Sequence, residues 1–117
     1  MLQTWRWEIG TLYELSEVIA LLDLMHCFGL VSQQYNWVKP SIGENTRIHE
    51  MSHPVSKLVG IKTVPNGIVI EDSVKGLLIT GPNMSGKSTY LTTMGVVQII
   101  SQLGCFAPGY QTTTHLY

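Results

Sequence analysis

A chain of 117 residues has room for one small domain. With 44% hydrophobic and only 13% charged residues it is more apolar than an average soluble domain, so part of its surface is expected to be covered. A net charge of -1, with the Lys and Arg scattered from Arg6 to Lys87, excludes a charge-driven nucleic-acid surface. The two cysteines, Cys27 and Cys105, form no C-x-x-C pair and read as reduced, buried thiols of an intracellular protein.

The first element is a helix expected over 12–28. Thr11 and Glu14 form a T-x-x-E capping box, and Leu15, Val18, Ile19, Leu22 and Met25 recur at helical spacing, so one face must pack on something. Gly29 is the expected terminator, and the stretch to Gly43, containing Pro40, reads as a connection. No apolar run reads as long enough to span a membrane, and the start MLQTWRWEIG has neither a basic leader nor an uninterrupted apolar region. Trp5 and Trp7 read as packing residues. An extended segment over 47–51 ends at His53-Pro54, and Gly67-Ile-Val-Ile-Glu71 follows the turn-like Pro65-Asn66-Gly67. Gly76-Leu-Leu-Ile-Thr80 reads as a strand buried on both faces, and 88–103 as a helix stopped by Gly104. The closing QTTTHLY carries no periodic signal.

Between the last strand and the last helix lies Gly81-Pro-Asn-Met-Ser-Gly86-Lys87-Ser88, which fits G-x-x-x-x-G-K-[ST] at every defined position. Strand, loop and helix in this order point to a triphosphate cradle. The glycines let Pro82, Asn83, Met84 and Ser85 turn so that backbone N–H groups converge at a helix N-terminus, where the macrodipole favours anions. Lys87 is expected on the β and γ phosphates, Ser88 on magnesium, and Thr89 near the α phosphate. The expected ligands are therefore ATP and Mg2+.

The longer string Leu78-Ile-Thr-Gly-Pro-Asn-Met-Ser-Gly-Lys-Ser-Thr-Tyr-Leu91 resembles the Walker A segment of the MutS mismatch-recognition ATPases. Downstream, Gln102-Leu-Gly-Cys-Phe-Ala-Pro108 is similar to the family's Q-x-G-[SC]-[FY]-V-P. Upstream, Val64-Pro-Asn66 resembles V-P-N, Glu50-Met-Ser-His53-Pro54 resembles E-G-R-H-P, and Leu21-Leu-Asp-Leu24 with Trp37-Val-Lys-Pro40 resembles L-x-x-L-D-x-L and Y-x-R-P. The likeness covers roughly 12–109.

The resemblance implies an α/β fold: a partial P-loop NTPase of the ABC type found in MutS, with a preceding amphipathic helix and a small β subsheet. Residues 1–40 would be a helical segment like the end of the MutS core or lever region, and 41–117 the N-terminal half of the ATPase domain. It adds Val64 and Asn66 to the nucleotide site. It further implies DNA mismatch repair, with ATP state controlling the grip on mismatched or branched DNA through parts of the family protein absent here, and a second MutS-type subunit completing the ATP site. No membrane partner is expected. The chain departs from the family at Met51-Ser52, where Gly-Arg is usual, at Thr63, where a bulky residue often faces adenine, and at Thr92-Thr93, where a basic residue and Gln are usual. The family's Walker B acid and signature loop have no counterpart, so little turnover is expected from the chain alone.

His53 reads in two ways, as a histidine approaching the nucleotide, which its place in the resembled motif implies, or as a turn histidine packed against the sheet, and in neither as catalytic. His26, His49 and His115 show no metal-ligand spacing, and Glu14, Glu17 and Asp23 read as the solvated side of the first helix. Two other functions stay open: a small P-loop kinase, opposed by the lack of any Lys or Arg after Lys87, and a non-catalytic fragment that packs on a full-length relative.

Overall fold

The computed structural model describes residues 2–115, with side chains from residue 9 onward. The side chains of Trp5 and Trp7 lie outside the described residues, as do Leu116 and Tyr117. The elements are α1 (Leu2–Tyr35), β1 (Ser41–Ile42), β2 (Thr46–Met51), α2 (Pro54–Leu58), β3 (Asn66–Ile70), α3 (Lys87–Gln102) and β4 (Tyr110–Thr114).

Helix α1 extends well beyond the expected 12–28 and runs through Gly29. A lone glycine inside a helix costs about 1 kcal/mol relative to alanine, and the helix-compatible residues after it carry the helix another turn and a half. The stop is Asn36, which takes the left-handed conformation (φ 53°), with the Trp37 N–H donating to the Ser32 carbonyl at 2.9 Å. This is a Schellman end built on asparagine. α3 ends in the same way on the expected residue: Gly104 has φ 85°, its N–H donates to Ser101 O at 3.2 Å, and the Cys105 N–H donates to Ile100 O at 3.2 Å.

The four strands form one mixed sheet in the order β1-β4-β2-β3. β2 is antiparallel to both β3 and β4, whereas the short β1 lies parallel to β4. β2 alternates as a half-buried strand should, with Thr46 and Ile48 inside and Arg47 outside. A bulge at Glu50 (φ 53°) then breaks the register, which is why Met51 is buried rather than exposed. Ile48, Met51 and Ile68 from the sheet meet Val97 of α3 and Ala107 of the following loop in the core, with Ile70, Tyr90 and Met94 packed around them. On the outer side Arg47 Nη2 bonds Glu71 Oε1 at 2.8 Å, an exposed pair that adds at most about 1 kcal/mol.

Three further expectations are corrected. Residues 76–80 form no strand: they pair with nothing in the sheet, and Leu78 is 89% exposed. An apolar run becomes a buried strand only between neighbours, and none flanks it among the described residues. QTTT, which shows no period by sequence, lies within β4, an inner strand, because the β-branched Thr112 and Thr114 point inward as Thr113 points away. The expected connection before Gly43 holds β1 and a bridge from Val38 to Ala107.

The apolar face of α1 is not buried: Leu12, Leu15, Val18, Ile19, Leu22 and Met25 are all exposed. So are Glu14, Glu17 and Asp23, leaving no solvated side to distinguish. Cys27 on this helix is exposed too, contrary to expectation, whereas Cys105 is buried. Residues 9–35 include an 18-residue window with a mean hydropathy of 1.6, long and apolar enough to cross a membrane by length and composition alone, which corrects the reading that no run approaches that length.

Candidate functional site

The segment 81–86 forms a bent loop leading into α3. Ser85 N–H donates back to Pro82 O at 3.3 Å, and the chain turns through left-handed Met84 (φ 65°) and Gly86 (φ 90°). Gly86 caps α3 with no side-chain bond. The first helical hydrogen bond in α3 is Tyr90 N–H to Gly86 O at 2.8 Å, so the N–H groups of Lys87, Ser88 and Thr89 lie ahead of the helical ladder. Three free donors at the positive end of a 16-residue helix suit an anion.

The Lys87 ammonium folds over the loop and donates to Gly81 O at 2.7 Å and Pro82 O at 2.6 Å. The side chain is thereby held at the mouth of a cleft of about 800 Å3 between the loop and the β3 side of the sheet. Lys87 is the one Lys or Arg lining this cleft, and no Asp or Glu lines it. Of the residues expected from sequence, Gly81, Pro82, Ser85, Gly86, Lys87 and Thr89 line it on one wall, and Val64 and Asn66 on the other. Asn83, Met84 and Ser88 do not line it, and all three are exposed. Among the described residues no cluster of His, Cys, Asp or Glu could hold a metal by itself.

The opposite wall is shaped by a short turn, in which Asn66 Nδ2 donates to Val64 O at 2.9 Å. Met51, Ser52 and His53 continue this wall. His53 precedes α2 as its N-cap without a side-chain cap bond, and its Nδ1 is buried with no partner. The two walls are joined through Tyr90, whose hydroxyl donates to Gly67 O at 3.0 Å. Partial burial pushes the Tyr90 phenol above its ordinary value, so the neutral donor is the form present at neutral pH. One turn later Thr93 Oγ1 donates to Thr89 O at 2.6 Å, which satisfies a buried hydroxyl inside the helix.

The P-loop pattern does not single out Tyr90 or Thr93. Their signal lies in helix geometry, since positions 86, 90 and 93 fall on one face of α3. A second cleft of about 600 Å3 runs between the C-terminal half of α1 and the end of α3, lined by Leu21, Leu24, Met25, Phe28, Cys105 and Phe106.

The MutS domain V family model matches residues 77–116. Among curated proteins the chain is 40% identical over 110 residues to "DNA mismatch repair protein MutS" of Oceanobacillus iheyensis, covering 91% of this chain and 13% of that protein. It is 37% identical over 112 residues to the protein of the same name in Bacillus velezensis, covering 93% of this chain and 13% of the relative. The Fervidobacterium nodosum protein of that name is 37% identical over 98 residues, 83% of this chain and 12% of the relative. The chain thus spans about an eighth of the length of the curated relatives it matches.

Proposed function

Because the chain belongs to the MutS family, as residues 77–116 and the identity over nine-tenths of its length require, we propose that it is the ATP-binding portion of a MutS-like mismatch repair ATPase. The observation that carries this reading is Lys87, whose ammonium is held by the carbonyls of the 81–86 loop and whose residue opens a helix with three N–H groups ahead of its ladder, in a cleft without a carboxylate. Lys87 would hold the β and γ phosphates, the N–H groups of 86–89 the negative oxygens, and Ser88 would reach magnesium supplied with the nucleotide. Val64 and Asn66 would face the nucleoside. Bound Mg2+ supplies charge neutralisation between the phosphates; the chain's own groups bind and orient them.

In this reading 1–40 is the end of a lever region and 41–117 the first half of a partial P-loop domain of the ABC type. ATP state governs binding to mismatched or branched DNA through family regions outside the matched stretch, and a second MutS-type subunit completes the site. Turnover by the chain alone is expected to be small. A second reading, a non-catalytic fragment that packs on a full-length relative, is favoured by one observation, the exposed apolar residues of α1 and of Leu77 and Leu78.

Titration of the chain with Mg-ATP separates the two. The first reading expects saturable binding that Lys87→Ala weakens by at least roughly tenfold, the scale of losing one charge-assisted contact. Wild-type protein that shows no heat of binding and no rise in melting temperature with nucleotide supports the second.

A further inference from the structure

The cleft has two walls that come from distant parts of the sequence. One is the loop 81–87 with the first turn of α3; the other is the turn at 64–66 with 51–53. Among the described residues, one side-chain hydrogen bond crosses between α3 and the segment that carries the second wall: the Tyr90 hydroxyl to the Gly67 carbonyl, 3.0 Å. Gly67 directly follows Asn66, whose own side chain fixes the turn by bonding Val64 O. β3, which contains Gly67, is an edge strand held to the rest of the sheet only by β2, and the β2–β3 ladder is interrupted between Ile48 and Met51, opposite Gly67. The turn wall therefore leans on a weakened stretch of ladder, and Tyr90 is the outside support nearest to it. A Cβ at Gly67 would come within 3.2 Å of the Ile48 carbonyl oxygen, so glycine there lets β3 lie close to β2 at the interruption.

We propose that Tyr90 is a positioning residue for the nucleoside end of the ligand: its hydroxyl sets the distance between the Val64–Asn66 turn and the phosphate-binding loop. This rests on the nucleotide-binding reading above and adds to it a division of labour. Lys87 and the helix N–H groups hold phosphate whatever is attached to it, whereas Tyr90 governs only the part of the ligand that reaches the far wall.

The division can be read by comparing two ligands on the full chain, Mg-ATP and magnesium tripolyphosphate, which has the phosphates without the nucleoside. Isothermal titration of Tyr90→Phe should show ATP binding weakened about threefold to tenfold, the scale of one lost hydrogen bond, and tripolyphosphate binding unchanged. Lys87→Ala should weaken both ligands. Tyr90→Phe binding both ligands as the wild type does overturns the proposal, because the hydroxyl then positions nothing. Weakening of both in equal proportion also overturns it, because the tyrosine then supports the loop or the fold as a whole. Wild-type protein that binds neither ligand refutes the nucleotide reading itself, an outcome distinct from these two, and takes the proposal with it.

Discussion

Gly109 sits where β4 begins to cross β2, and a Cβ at that position would lie 3.0 Å from both the His49 carbonyl oxygen and Thr112 Oγ1 and 3.2 Å from Ile48 Cγ2. Two of these neighbours are a backbone carbonyl and the fully buried core side chain of Ile48, so neither can swing aside cheaply. Gly109→Ala should therefore destabilise the fold by about 1–3 kcal/mol, seen as a lower urea midpoint with an unchanged slope. An unchanged midpoint would mean that β2 and β4 part easily. Gly86 is demanding for a different reason, its φ of 90°, and nothing lies within 4 Å of it. That glycine was legible in the sequence, because the phosphate-loop pattern specifies a glycine there for local backbone reasons. Gly109 was not, because its constraint comes from a strand some sixty positions away, and a single sequence does not reveal which strands approach. Lys87 is legible in the same way as Gly86, whereas Tyr90 acquires its role only when α3 lies against β3.

At the scale of the element, ends written as glycine were readable and ends written otherwise were not. Gly104 stops α3 as expected, but α1 passes through Gly29 and stops at Asn36, since asparagine is the other residue that enters the left-handed region at modest cost. This makes Gly29 a test of where the helix really ends. A Cβ at 29 meets nothing within 4 Å and the residue is helical, so Gly29→Ala should raise helical content and stabilise α1 by about 0.5–1 kcal/mol. Circular dichroism would report it; a loss of helix would instead restore Gly29 as a terminator. The strands divide similarly. β2 and β3 show β-branched or alternating runs and were found within a residue or two, whereas β4 is made of Thr in a segment without hydrophobic contrast. The run 76–80 has the composition of a buried strand and remains unpaired, because burial belongs to the neighbours and not to the run itself.

Over the whole molecule the same missing burial becomes measurable. A compact chain of 117 residues has a radius of gyration of about 13 Å, and here it is 19.3 Å, with extents of 69 × 35 × 26 Å. The long α1, about 51 Å at the ordinary helical rise, accounts for the elongation. The accessible surface is 9070 Å2, against about 6300 Å2 for a compact monomer of 13.0 kDa, an excess of about 2700 Å2. A standard protein interface covers about 800 Å2 per partner, so this excess exceeds what one ordinary contact would hide. Much of it is apolar: each of the exposed leucines on α1 forgoes up to about 2 kcal/mol of burial. Such a surface should bind an apolar-reporting dye strongly in the folded state. Leu15 and Leu22 lie two turns apart on one face of α1, far in sequence from the core residues of the sheet. Replacing both, Leu15→Gln with Leu22→Gln, should therefore lower anilinonaphthalene sulfonate fluorescence while leaving the urea midpoint of the sheet nearly unchanged, its unfolding free energy within about 0.5 kcal/mol of wild type, as surface substitutions usually do. A large drop in that midpoint would show that α1 is covered by the sheet domain in solution, and the elongated arrangement would then be wrong.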